Sequence, residues 1–213
     1  MNSSSLTCVL VAASEFNAED FRKRDARGAF DCVVAVDGGF AHLEAIGRAP
    51  DHALGDFDSL GYVPEADSVE VHPAHKDKSD LELALDFAHE QGFGEVVIYG
   101  GLGGRLDHTL AALQMSARFA EEGMGVSFVG VDFAVRILVG PGEFSIPALH
   151  GTVSVFSAVD ESFGVTERGM EYPLENATVA NRTTLGLSNE LVGQPAGVSV
   201  RRGTLFIFHP LGV

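Results

Sequence analysis

Three short stretches carry residue types that could do chemistry together. Gly55-Asp56-Phe57-Asp58-Ser59 puts two carboxylates one residue apart, just after Ala53-Leu54, which reads as the end of a strand. In an extended chain such a pair points to one side and can hold a divalent cation from two directions. Lys76-Asp77-Lys78-Ser79-Asp80 adds a second acidic cluster at a helix start. Gly100-Gly101-Leu102-Gly103-Gly104-Arg105-Leu106-Asp107-His108 is a glycine-rich turn closing on an arginine and an aspartate. Carboxylates gathered on a hard cation, beside backbone N–H groups and a guanidinium, are what phosphoryl chemistry needs. The pattern implies magnesium-dependent chemistry on a nucleotide triphosphate.

Each of these residues also has a simpler role open to it. Asp and Ser are turn formers, so the Asp56/Asp58 pair can be a surface turn. Asp80 in a first helical turn complements the helix dipole, worth about 0.3–1 kcal/mol. Lys76 and Lys78 can meet phosphate or stand as solvated loop cations. The glycine turn lets a backbone pass close to a ligand and aim N–H groups at it. It is neither a Walker A loop nor the dinucleotide fingerprint. Arg105 and Asp107 could bind phosphate and orient a metal or a hydroxyl. His108 is equally consistent with a helix residue that has no chemistry, and Leu187-Ser188-Asn189-Glu190, on physical grounds alone, is a turn.

Positioning these residues requires strands that end at them. Leu6 to Ala12 and Cys32 to Val36 are continuous apolar runs, as in parallel strands covered on both faces. Asp37-Gly38-Gly39 follows the second run directly, and a short helix from Phe40 to Ile46 ends at Gly47. Asp37 therefore falls at the carboxyl end of a strand, where open α/β sheets bind ligands. Ser79-Asp80-Leu81-Glu82 matches a capping box, and Leu81, Ala84, Leu85 and Ala88 give the helix one apolar face. Val96 to Tyr99 is a strand leading into the glycine turn. A helix follows it with Leu106, Leu110, Leu113, Ala117 and Ala120 on one face, and then a strand from Val126 to Val131. Strand and helix alternate, which predicts a doubly wound, mostly parallel sheet with helices on both faces.

Beyond about Asp132 helical periodicity vanishes and short apolar segments recur, at Val135 to Val139, Thr152 to Phe156, Val198 to Val200 and Thr204 to Phe208. That spacing predicts an antiparallel β-sandwich. Val139-Gly140-Pro141-Gly142 marks the expected boundary, between an α/β domain at 1–139 and a sandwich at 140–213.

Over 213 residues, 14 basic side chains meet 30 acidic ones, a net charge of −16. This argues against a general nucleic-acid binder, and a polyanionic nucleotide on so acidic a chain needs a cation between them. Cys8 and Cys32 lie in apolar runs without ligand spacing and read as buried apolar residues. Met1 to Thr7 holds no basic residue, unlike a signal peptide, and no apolar stretch is long enough to span a bilayer. A cytoplasmic protein is expected.

In this order and spacing the motifs resemble the thiamine pyrophosphokinase family. The likeness includes Asp37-Gly38-Gly39, Pro50-Asp51, Gly55 to Ser59, Lys76-Asp77-x-Ser79-Asp80-Leu81 and Gly100 to His108. It continues with Gly151 to Ser154, Gly164-Val165-Thr166, Tyr172-Pro173-Leu174 and Leu187 to Glu190, so it covers nearly the whole chain. Phe40-Ala41, Lys76 and Ala112 depart from the residues frequent in the family, and the chain has no Trp. The resemblance implies transfer of a pyrophosphoryl group from ATP to the hydroxyl of thiamine, giving thiamine diphosphate and AMP. It implies an α/β nucleotide-binding catalytic domain followed by a thiamine-binding and dimerisation sandwich, in a homodimer with active sites at the interface. It assigns Asp56, Asp58 and Asp80 to Mg²⁺, and Arg105 and Asp107 to the transferring group. Asp37, Gly38, Gly39, Lys76, Ser79, Gly103, Gly104, His108, Ser188 and Asn189 become binding positions, with Ser188 of the partner subunit facing the thiamine pyrimidine. Two other classes fit the residues: a phosphatase with an aspartyl nucleophile, and a nucleotide- or thiamine-binding protein without chemistry.

Overall fold

Runs of Val, Leu and Cys with no polar alternation can be buried on both sides only inside a layered sheet. Such runs form β1 (Thr7–Val11) and β2 (Cys32–Val36), where β2 is buried at every position and β1 at all but its first. The computed structural model describes residues 5–58, 60–64, 68–72 and 77–212. They fall into two units, Met1–Val131 and Asp132–Val213. The first unit adds α1 (Ala18–Asp25), α2 (Gly39–Ala45), β3 (His52–Gly55), β4 (Val69–Val71), α3 (Asp80–Glu90), β5 (Glu95–Tyr99), α4 (Leu106–Glu121) and β6 (Gly125–Val129). Every strand pairing in it is parallel.

Strand order is β6-β5-β1-β2-β3-β4. The chain steps outward from β1 to β4, and α3 then carries it back to β5 on the other side of β1. The order therefore reverses between β1 and β5, the place where doubly wound sheets open a crevice at their carboxyl ends. Cys8 and Cys32 are register neighbours across β1 and β2, both free thiols and both buried.

Helix α3 starts where the sequence places it. The Ser79 side chain accepts the Glu82 N–H at 3.2 Å, while the Glu82 carboxylate reaches Arg118 at 3.3 Å instead of closing a reciprocal box. Ala84, Leu85 and Ala88 are its buried face. On α4 the buried stripe begins only at Ala112, and Leu106 and Leu110, expected on the apolar face, are 81% and 55% exposed. Helix α1 has no apolar period to announce it. Phe21 is its one buried residue, and Asn17 caps it by accepting the Asp20 N–H at 3.0 Å. Among the described residues no helix is long and apolar enough to cross a membrane.

The second unit contains β7 (Phe133–Val139), β8 (Gly142–Ile146), β9 (Thr152–Ser157), β10 (Glu161–Arg168), β11 (Ala177–Ala180), β12 (Asn189–Glu190), β13 (Ala196–Val200) and β14 (Thr204–Pro210). All its pairings are antiparallel, in the orders β12-β9-β14-β7 and β11-β10-β13-β8. Val153, Val155, Leu205 and Ile207 from one sheet share a core with Val165, Val179, Val198 and Val200 from the other, which makes a sandwich. Strand β7 lies before the boundary drawn from Gly140-Pro141-Gly142. It groups with the second unit because β14 pairs with it along its whole length, Val139 to Phe133.

Candidate active site

Strands β2 and β3 run in parallel register, Val36 opposite Leu54, so the residues that leave them emerge side by side. The Asp37 N–H donates to the Leu54 carbonyl at 2.9 Å, which holds the two strand ends together. Gly55 makes this approach possible. It has φ +151°, and a Cβ there would meet Asp37 Cα at 2.9 Å. Asp37 and Phe57 then turn sharply, with φ +46° and +56°. Left-handed backbone costs a non-glycine residue roughly 1–2 kcal/mol, and burial of the Phe57 ring, 2% exposed, offsets it. Across Phe57 the Asp58 N–H donates to Asp56 Oδ1 at 3.2 Å. One oxygen from each of Asp37, Asp56 and Asp58 lies within 4.8 Å of the others.

Three hard, anionic oxygens at that spacing suit one hard cation, since opposite ligands of an octahedral magnesium stand about 4.2 Å apart. The donor set fits the metal that the sequence implies. Its third member is Asp37, whereas Asp80 stands outside this trio among the described residues.

At the sheet's reversal point lies a cleft of about 410 Å³. Ala12 to Ser14 wall it after β1, Val36 and Asp37 after β2, and Gly100, Gly101 and Gly103 after β5. Ser79, Asp80 and Leu81 close it from α3, and Arg105, His108, Ala111, Ala112 and Met115 from α4. Gly100 has φ +66°, and a Cβ on it would stand 2.0 Å from the Ala12 carbonyl oxygen. Any side chain there would push apart the two turns that the Ser14 N–H to Gly100 carbonyl bond, 2.9 Å, draws together. Asp37 belongs to both the cleft and the carboxylate trio.

Arg105 and Asp107 form a two-point ion pair, Nη2–Oδ2 at 2.6 Å and Nε–Oδ1 at 3.2 Å, at an open surface. The Arg105 guanidinium lowers the Asp107 carboxyl to about 2. A carboxylate held that low is ionised at neutral pH and accepts a proton poorly, so the pair suits orienting and charge work better than general-base work. Lys78 is engaged at 2.5 Å by Asp86 on α3.

The structure thus gathers Asp37, Ser79, Asp80, Gly103, Arg105 and His108 in one cleft, with Asp56 and Asp58 joined to Asp37. Gly104 is exposed at φ +61°, beside the cleft's glycines. Gly38 and Gly39 open α2, and Gly39 packs too closely on the Val11 carbonyl to admit a side chain. Lys76 and Ser59 lie outside the described residues. Ser188 and Asn189 are in the second unit. Ser188 is exposed, and Asn189 is buried with both ends of its amide bonded within the protein. Sequence reasoning passed over the Ala12–Ser14 wall, whose only signal was that it follows a strand. It also passed over Met115 and Ala111, which look like ordinary helix residues.

A parallel sheet whose reversal point carries a glycine turn and an arginine, with one aspartate shared between that cleft and a carboxylate trio, defines an α/β protein suited to a phosphate-bearing ligand. Residues 28–128 match the family described as thiamin pyrophosphokinase, catalytic domain, and residues 144–205 match thiamin pyrophosphokinase, vitamin B1 binding domain. Thiamine pyrophosphokinase of Bacillus subtilis is 30% identical over 184 residues, 83% of this chain and 86% of that protein. Thiamin pyrophosphokinase 1 of Caenorhabditis elegans is 25% identical over 173 residues, 74% and 70% of the two chains. The crystal structure of the B. subtilis enzyme superposes with a TM-score of 0.79 at 26% identity, covering 97% of this chain and 100% of that one. The Candida albicans enzyme has a TM-score of 0.77 at 13% identity, over 97% and 90% of the two chains, which speaks for the fold alone. The chain belongs to the thiamine pyrophosphokinase family, a family of enzymes.

Two outcomes follow from this geometry. Gly55→Ala displaces Asp37, so binding of Mg²⁺, followed by titration calorimetry, weakens by on the order of tenfold or more. In Arg105→Ala the Asp107 carboxyl, followed by carbon NMR, returns from about 2 to roughly the free value near 3.9. Since its folded value is the depressed one, the pair's stabilisation is present above the free value and lost as pH falls through the lower one.

Proposed function

We propose that this chain transfers the pyrophosphoryl group of ATP to the hydroxyl of thiamine, giving thiamine diphosphate and AMP with Mg²⁺ as the cation. One observation carries the reading at the level of residues: Asp37, clustered with Asp56 and Asp58, also lines a cleft that presents Arg105. Asp37, Asp56 and Asp58 would hold the metal, with Asp80 facing the same cleft from α3. When bound, the cation supplies charge neutralisation on the triphosphate.

The protein's own groups do the rest. The thiamine hydroxyl attacks the β-phosphorus in line, the bond to the α–β bridging oxygen breaks, AMP leaves with that oxygen, and the hydroxyl proton passes to solvent. Backbone N–H groups of the Gly100–Gly104 turn cradle phosphate oxygens, and Arg105 stabilises the charge that builds on the transferring group. Asp107, ionised beside Arg105, orients the hydroxyl. Holding the reactants in line is the main contribution, since effective molarity supplies about 7–11 kcal/mol. The same reading takes the protein as a cytoplasmic homodimer with Ser188 of the partner subunit facing the thiamine pyrimidine.

Incubation with Mg-ATP is expected to release AMP only when thiamine is present. Inorganic phosphate released without thiamine would instead identify an aspartyl phosphatase, and ligand binding without AMP a non-catalytic protein. Asp58→Asn lowers kcat by on the order of 10²–10³ while the thermal unfolding midpoint stays unchanged. Near-normal turnover would take Asp58 out of the metal site.

A further inference from the structure

Glu167 on β10 is a carboxyl in the wrong place for a sandwich. It is 1% exposed among core residues of the second unit. Oε2 accepts from Asn189 Nδ2 at 2.7 Å, and Oε1 has no hydrogen-bond partner among the described residues. Burial raises its carboxyl above the ordinary value, opposed by the Asn189 bond. A half-satisfied buried carboxyl is costly, and an apolar residue of similar size would fill the space more cheaply. Violations of this kind gather where a site needs them.

The surroundings show what the carboxyl holds. Gly186 sits over Oε1 at φ +91°, and a Cβ on it would stand 3.3 Å from that oxygen and 2.6 Å from the Val155 carbonyl. Asn189, beyond it in the chain, grips Oε2. Between Gly186, whose carbonyl accepts the Val155 N–H at 2.8 Å, and Asn189 lie Leu187 and Ser188, both exposed, with Ser188 at φ +56° and its N–H donating to Ser154 Oγ at 3.0 Å. The Asn189 amide is used up at the same time. Its Oδ1 accepts from the N–H groups of Tyr172 and Glu190, both at 3.0 Å, and its Nδ2 also donates to the Tyr172 carbonyl at 2.8 Å. The amide therefore has no group left for a ligand, and Ser188 is the residue its anchoring presents.

We propose that Glu167 is a positioning residue for the acceptor substrate: through Asn189 it fixes the strained turn that presents Ser188, and so sets affinity for thiamine without touching it. This rests on the reading of the chain as a thiamine pyrophosphokinase, whose vitamin-binding segment, residues 144–205, contains all of these residues.

The test compares Glu167→Leu with Glu167→Gln in steady-state assays of AMP release. Loss of the buried bond in Glu167→Leu raises KM for thiamine about tenfold, with KM for ATP within about twofold of wild type. Glu167→Gln keeps a carbonyl acceptor for Asn189 Nδ2, so it holds the thiamine KM within about twofold of wild type. An unchanged thiamine KM in Glu167→Leu overturns the proposal, as does a parallel rise in both KM values or a loss in kcat alone. If Glu167→Leu does not fold, Asn189→Ala carries the same readouts. If neither folds, the pair is a determinant of folding and the proposal falls. Absence of thiamine-dependent AMP from the wild-type protein defeats the functional reading itself, a different result from normal wild-type turnover with indifferent variants.

Discussion

Three carboxylates held within a few ångströms of one another repel. The repulsion is about 1 kcal/mol per pair in water at 4 Å and about 4 kcal/mol at the effective dielectric of a protein surface. The rest of the first unit makes that proximity tolerable. Parallel pairing of β2 with β3 brings their ends together, Gly55 admits the Asp37 backbone, and burial of Phe57 compensates for the left-handed turn between Asp56 and Asp58. The arrangement sets three carboxylates at the spacing a hard divalent cation takes, on a backbone that carries strain at Asp37 and Phe57.

The cleft uses the other side of the same topology. Reversal of strand order between β1 and β5 leaves their carboxyl-end turns facing one another without a strand between them, and Gly100 lets those turns touch. Asp37 links the two features because β2 neighbours β1 on one side and β3 on the other. A net charge of −16 would repel a triphosphate. In the proposed reading, backbone dipoles of the glycine turn and Arg105 counter it locally, rather than a broad basic surface. In the second unit a different compromise is visible, where a buried carboxyl anchors a turn that exposes a serine.

Much of this was legible in the residues. Continuous apolar runs announced the parallel strands, the Ser79 cap announced α3, and the vanishing helical period announced the sandwich. Those signals are local, set by burial on both faces, by a side chain meeting an orphan N–H, and by turn residues at short intervals. Where the local signal was weak, elements were missed. Helix α1 buries one residue, and β4 is a three-residue strand with two exposed positions. The stripe on α4 was read too far toward its start, because periodicity tells which residues share a face but not where the neighbouring layer begins.

The sequence by itself determined that Asp56 and Asp58 flank a turn, that a glycine loop runs into Arg105, and that the chain resembles one family over nearly its whole length. Only the tertiary structure decided that Asp37 joins Asp56 and Asp58 in a carboxylate trio and faces Asp80 across one cleft, and that Asn189 is an internal anchor held by Glu167. The reason is register. Residues far apart in the chain become neighbours only when a particular strand pairs at a particular offset, and no local preference encodes that offset. Shifting β3 by one residue on β2 would leave every motif intact and the cluster dispersed.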